Sequence, residues 1–150
     1  MIRVALDTSL MVGLLDPKDI WHVKSLALKN SLIEYDAQIV IFDCVIAEAI
    51  SVLARRFHEK RRQGDFDVLL STLLDSYPPT AISWILSGLP QKYLAVLDLV
   101  RTSNGELNFN DALIALTCQA NSIELIASFD QDFDNVAWLK RLADPEDLEK

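Results

Sequence analysis

The stretch RVALDTS, residues 3–9, decides the fold: an apolar run short enough for one buried strand stops at a carboxylate, and two hydroxyls follow at once. A charge at the edge of a core is costly unless something pairs with it, so Asp7 either caps the next helix or holds a cation. Thr8 and Ser9 each offer a cap for a short helix running to Leu15 and ended by Asp16-Pro17, which leaves Asp7 without an evident structural duty.

The same grammar recurs outward from this point. A helix is expected from about Asp19 to Tyr35, then AQIVIF (37–42) as a second strand. Asp43 is placed to cap a helix whose apolar stripe is Ile46, Ala49, Ile50, Leu53 and Phe57. Gly64 reads as a break before a Leu-rich helix to about Ser76, and TAISWIL (80–86) as a third strand. Ser87 and Pro90 suit a helix start through Arg101, and Asn104-Gly105 a turn. Asn108 and Asp111 have the spacing of a capping-box variant opening a helix to about Ala120, before a fourth strand in IELIAS (123–128). Strands separated by helices imply crossover connections, hence an α/β fold: a three-layer α/β/α sandwich around a mostly parallel sheet.

Composition agrees. A chain of 150 residues can bury roughly two thirds of its unfolded surface, and 51% hydrophobic with 24% charged residues is ordinary for a globular protein. With only four Gly and five Pro there is little material for a linker, so residues 1–150 read as a single domain. Cys44 and Cys118 show no CxxC spacing and read as small core residues of a reduced, cytoplasmic protein. No export signal is evident, and no apolar run approaches the ~18 residues of a membrane span. The net charge of -8 speaks against coating nucleic acid through a broad basic surface.

In open α/β sheets, ligands bind beyond the carboxyl ends of the strands. Four acids fall there: Asp7 after strand one, Glu48 early in the helix after strand two, Asp111 opening the helix before strand four, and Asp130 after strand four. Singly, each has an ordinary explanation, since acids gain about 0.3 to 1 kcal/mol at helix N-termini and Asp130 and Asp132 suit an Asx turn. Together they do not, because like charges 4 Å apart repel by about 4 kcal/mol per pair at an effective dielectric of 20. Four converging carboxylates need a cation. Oxygen ligands without His or Cys suit Mg²⁺ or Mn²⁺, ions that activate water for phosphodiester hydrolysis.

The motifs LDTS (6–9), AEAISVL (47–53), LNFNDALIALT (107–117) and ASFDQDF (127–133), in this order and spacing, resemble the PIN-domain family and its VapC-type ribonuclease toxins. The resemblance implies a metal-dependent endoribonuclease acting on single-stranded or loop RNA, the toxin of a toxin-antitoxin pair. Asp7, Glu48, Asp111 and Asp130 would hold one or two Mg²⁺ or Mn²⁺, with Asp132 as an auxiliary acid. Ser9 matches a hydroxyl near the metal, and Thr8 would assist through its backbone. Expected partners are the RNA, a small antitoxin and a second copy of the chain, with no membrane.

Arg55, Arg56, Lys60, Arg61 and Arg62 are five of the chain's 14 basic residues. Arg55, seven residues after Glu48 and about 10 Å further along the helix axis, is a candidate RNA contact, with a solvated Arg55–Glu59 pair as the plainer reading. His22 and His58 match no nucleophile-base pattern. Trp21, Trp84 and Trp138 read as core or interface anchors, with base stacking as the alternative. The Leu69, Leu70, Leu73 and Leu74 stripe reads as core, part of it available to a partner. Two other functions fit the same acids: a catalytically weak or silent PIN-like protein-interaction module, and a phosphatase-like or receiver-type domain phosphorylated on the acid after strand one. The latter lacks a D-x-D pair and a Lys after the late strand.

Overall fold

The computed structural model describes residues 1–149. Its centre is β1 (Arg3–Leu6), where Val4, Ala5 and Leu6 are all buried, as befits a strand covered on both faces. Then follow α1 (Thr8–Leu15), α2 (His22–Glu34), β2 (Gln38–Phe42), α3 (Asp43–Glu59) and α4 (Gln63–Ser76). The second half holds β3 (Ile82–Ser83), α5 (Leu89–Thr102), α6 (Phe109–Ala120), β4 (Leu125–Ala127) and β5 (Lys140–Leu142). All five strands are parallel, in the order β3-β2-β1-β4-β5. Helices α1 to α4 pack on one another and α5 packs on α6, flanking the sheet. The order reverses direction at β1, whose neighbours are β2 and β4, so the crevice expected at such a switch point opens beside Asp7.

Several local expectations are corrected. The third strand keeps only two residues, because the carboxylate of Asp43 accepts the backbone N–H groups of Ile85 (3.1 Å) and Leu86 (3.0 Å) and draws them off the ladder. Asp43 is therefore not the cap of α3 but its first residue, buried and pinning the edge of the sheet. The fifth strand escaped the sequence reading because Lys140 and Arg141 leave Leu142 as its single apolar residue. Charged side chains on an edge strand also discourage pairing with another molecule.

Gly64 does not break the chain; it lies inside α4. The stop comes at Arg61, in the left-handed region (φ 54°), where its N–H donates to the His58 carbonyl and that of Arg62 to the Phe57 carbonyl. This is a Schellman arrangement. The ends of α2, α5 and α6 repeat it at Asp36, Asn104 and Ser122, so the expected Asn104-Gly105 turn is one of four helix stops built on residues other than Gly at the left-handed position.

Cys44 and Cys118 are buried and unpaired, and burial pushes both thiols up to about 12. Trp138, half-buried against the core, is anchored by its indole N–H on the Ala115 carbonyl (2.8 Å). Among the described residues, no helix is long and apolar enough to cross a membrane.

Replacing Asp43 by Ala releases three N–H groups, those of Cys44, Ile85 and Leu86, and loosens the edge of the sheet. Asp43→Ala is expected to lower stability by about 1 to 2 kcal/mol, read from the midpoint of urea unfolding.

Candidate active site

The first acid is set by strand pairing. Leu6 lies opposite Ala127 in the β1–β4 register, and the N–H of Asp7 donates to the Ala127 carbonyl (3.0 Å), which brings Asp7 beside Ser128. Ser128 Oγ donates to Asp7 Oδ2 at 2.7 Å and Ser9 Oγ donates to the same oxygen at 2.8 Å. Each hydroxyl also accepts a backbone N–H from the segment after β4: Ser9 from Phe129 (3.0 Å), Ser128 from Asp130 (2.9 Å). Two serines thus stitch the start of α1 to the end of β4 through one carboxylate. Asp7 is also the true N-cap of α1, accepting the Ser9 N–H, so the expected capping by Thr8 or Ser9 is corrected: both lie inside the helix.

Thr8 serves the second acid instead. Its hydroxyl and the amide of Asn110 both donate to Glu48 Oε2, at 3.1 and 2.9 Å. Asp111 closes the expected capping box with Asn108, taking the Asn108 N–H on Oδ2. Asp130 Oδ1 accepts the Asp132 N–H (2.9 Å), so the expected Asx turn and the candidate ligand are one residue. Asp132 sits beside it, outside the cleft lining, with its carboxyl raised chiefly by the charge of Asp130.

All four acids line one cleft of about 280 Å³, with Thr8, Ser9, Asn108, Trp21, Asp19 and Arg56 among the other walls. Burial raises the carboxyl of Asp7 above its usual range against the pull of its serines. Asp111 is pushed up to about 7, first by burial and then by the neighbouring charges of Asp7, Asp130 and Glu48. Among the described residues, no Lys, Arg or His nitrogen comes within 4.0 Å of any of the four. Negative charge is concentrated here with no ion-paired cation among the described residues.

The chain belongs to the PIN-domain family. The PIN domain matches residues 4–139, nearly all of the structure just described. Members of this family are generally nucleases that use divalent metal ions. Among solved structures, the chain is similar to the Mycobacterium tuberculosis VapC20, described as a sarcin-ricin loop cleaving toxin (20% identity, TM-score 0.66, covering 89% of this chain and 95% of that one). It is also similar to FitAcB from Neisseria gonorrhoeae (21%, TM-score 0.68, 95% and 97%) and to VapBC2 from Rickettsia felis bound to a promoter DNA fragment (16%, TM-score 0.58, 94% and 98%). No curated protein sequence matches the chain significantly.

The donors of this PIN-domain chain fit a hard divalent ion. In each of the four acids the hydrogen bonds described above fall on a single oxygen, so the other can serve a cation. Among the described residues, no three acid, His or Cys side chains are gathered closely enough to hold a metal ion by themselves. An open arrangement suits Mg²⁺, which keeps several waters and takes few protein carboxylates.

Arg55 is exposed and is not part of the cleft wall; the guanidinium that lines the cleft is that of Arg56. Among the described residues, Arg55 and Glu59 form no ion pair. Sequence reasoning also passed over Ser128 and Asn110. Both had a signal: Ser128-x-Asp130 mirrors Asp7-x-Ser9 at the adjoining strand end, and Asn110 immediately precedes Asp111.

A carboxyl whose folded pKa exceeds its unfolded value stabilises at low pH and loses that contribution as pH rises through the folded value. For Asp111 the window runs from the usual 3.8 to about 7. In chelator, the wild type is expected to melt a few degrees lower near pH 8 than near pH 5, and Asp111→Asn to narrow that gap. Thermal melts at the two pH values check it; an unchanged gap would remove Asp111 from the coupled cluster.

Proposed function

We propose that this chain is a Mg²⁺- or Mn²⁺-dependent endoribonuclease cutting single-stranded or loop RNA, the toxin of a toxin-antitoxin pair. The observation that carries the reading is the cleft of four carboxylates, each with an oxygen to spare and none ion-paired among the described residues. When bound, a divalent ion there supplies charge neutralisation and activation of a water against a phosphodiester. The chain supplies the rest. Ser9 and Ser128 fix Asp7. Thr8 and Asn110 fix Glu48, joining α1, α3 and α6 around one point. Asp111, its carboxyl pushed up to about 7 by burial and by the neighbouring charges, sits at the N-terminus of α6, whose amides favour negative charge. Asp132 stands behind Asp130 as an auxiliary acid.

The similarity to VapC20, a sarcin-ricin loop cleaving toxin, supports RNA as the substrate, and the similarity to VapBC2 supports a partner protein. Two apolar surfaces are available for the expected antitoxin and second copy. One is a groove lined by Leu14, Leu15, Phe57, Val68 and Leu69; the other exposes Trp84, Leu86, Tyr93 and Leu94. Within the Leu-rich stripe, Leu69 and Leu73 are core, whereas Leu74 is exposed. The proposed location is the cytoplasm.

The test is cleavage of a mixed-sequence structured RNA pool by the wild type and Asp7→Asn, with Mn²⁺, Mg²⁺ or chelator. Asn keeps an oxygen for both serines, so the variant is expected to remain folded and to lose cleavage by at least about a hundredfold. Undiminished cleavage by folded Asp7→Asn would refute the assignment. No metal-dependent cuts by the folded wild type, freed of any partner, would favour a silent interaction module.

A further inference from the structure

One wall of the cleft is aromatic and cationic. Trp21, at the start of α2, lines it with 38% of its surface exposed, and its indole lies flat against Phe129 (centroids 4.7 Å apart, planes 13° apart). Phe129 is fixed in turn, its N–H donating to the serine hydroxyl that holds Asp7. Arg56 forms the neighbouring wall. A single carboxylate positions both: Asp19 accepts the Trp21 N–H on Oδ1 (2.8 Å) and Arg56 Nη1 on Oδ2 (2.7 Å). Asp16, almost fully buried, takes the same Nη1 at 3.1 Å. Both hydrogen bonds of Arg56 therefore use one nitrogen of its fork, and the guanidinium retains donors for a ligand. Lys24, 2.9 Å from Asp144, adds an ammonium 5.8 Å from the indole centroid.

We infer that Trp21 and Arg56 form a nucleotide subsite next to the four acids, the indole stacking a base and the guanidinium binding the adjoining phosphate. The inference deepens the nuclease reading and rests on it for the identity of the ligand. A large indole left partly in water at a site wall is a platform for a flat ligand, and aromatic stacking accepts any base. A guanidinium with spare donors matches a phosphate. Together they give an acidic cleft a local grip on RNA that the charge of the whole chain does not provide. Trp21 and Arg56 act in binding and positioning; neither reaches into the reaction itself.

The experiment measures binding without cleavage, by fluorescence polarisation of a fluorescein-labelled single-stranded RNA on the Asp7→Asn chain in Mg²⁺. In this background Trp21→Ala is expected to weaken binding about tenfold and Trp21→Phe to restore most of it. Removing one base from the RNA, leaving its phosphates, is expected to weaken the parent about tenfold and the Trp21→Ala variant hardly at all. Arg56→Gln is expected to flatten the slope of log affinity against log salt by about 0.7. Unchanged affinity in Trp21→Ala, an equal abasic loss with and without the indole, or no RNA binding by the parent would overturn the subsite. An unchanged salt slope would overturn the role of Arg56. Base-coupled binding in a chain whose wild type never cuts RNA would sink the nuclease reading and leave the subsite standing. Cleavage with wild-type KM by Trp21→Ala would do the reverse.

Discussion

The carboxylate of Asp7 is the point on which this structure turns. It sits at the end of a strand buried on both faces, where an unpaired charge has no place, and two serine hydroxyls and the first amides of α1 make it tolerable. Those serines also hold backbone amides beyond β4, so the bonds that accommodate the charge define where Phe129 and Asp130 stand. The same economy is seen at Glu48, Asp111 and Asp130, each tethered by one oxygen. Tethering brings repelling groups together without cancelling their repulsion, and a cation is the remaining way to relieve it.

The basic residues show the complementary choice. Arg56 and Arg62 turn toward Asp16, and Arg56 also toward Asp19, building an ion-pair network behind the cleft. Asp16 is held below the usual carboxylate range by these guanidiniums, which outweigh the cost of its burial. Two of the five basic residues at 55–62 are thus spent on holding the end of α3 and the start of α4 to the loop after α1. An overall charge of -8 repels a polyanion at long range, so recognition of one has to be short-ranged and local.

What could be read in the sequence follows from how locally each feature is encoded. β1 and β2 are apolar runs bounded by acids, α3 carries its stripe at helical period, and α6 announces itself by a capping box; each of these is where the pattern placed it. β3 and β5 were obscured because their pairing is decided elsewhere, by Asp43 on one edge and by the register with β4 on the other. Gly64 misled because the helix before it stops on Arg61, which carries no compositional mark of a left-handed turn. The four acids stood out by their position after strands and at helix starts. Their supports, Ser128 and Asn110, stayed hidden, since their meaning lies in partners 121 and 62 residues away. Arg55 and Arg56 differ by one step of about 100° around a helix, an error that period counting readily makes and only packing corrects.

The distance along the chain between the two halves of the Asp7 bracket has a consequence for biosynthesis. Residue 9 leaves the ribosome long before residue 128, and β4 enters the sheet beside β1 only when nearly all of the polypeptide has been made. Until then Asp7 lacks Ser128, and Asp130 does not yet exist. A growing chain therefore carries an incomplete cleft while it is still attached to the translation machinery. Truncated products that end before β4 lack Ser128 and Asp130 and so share the incomplete cleft.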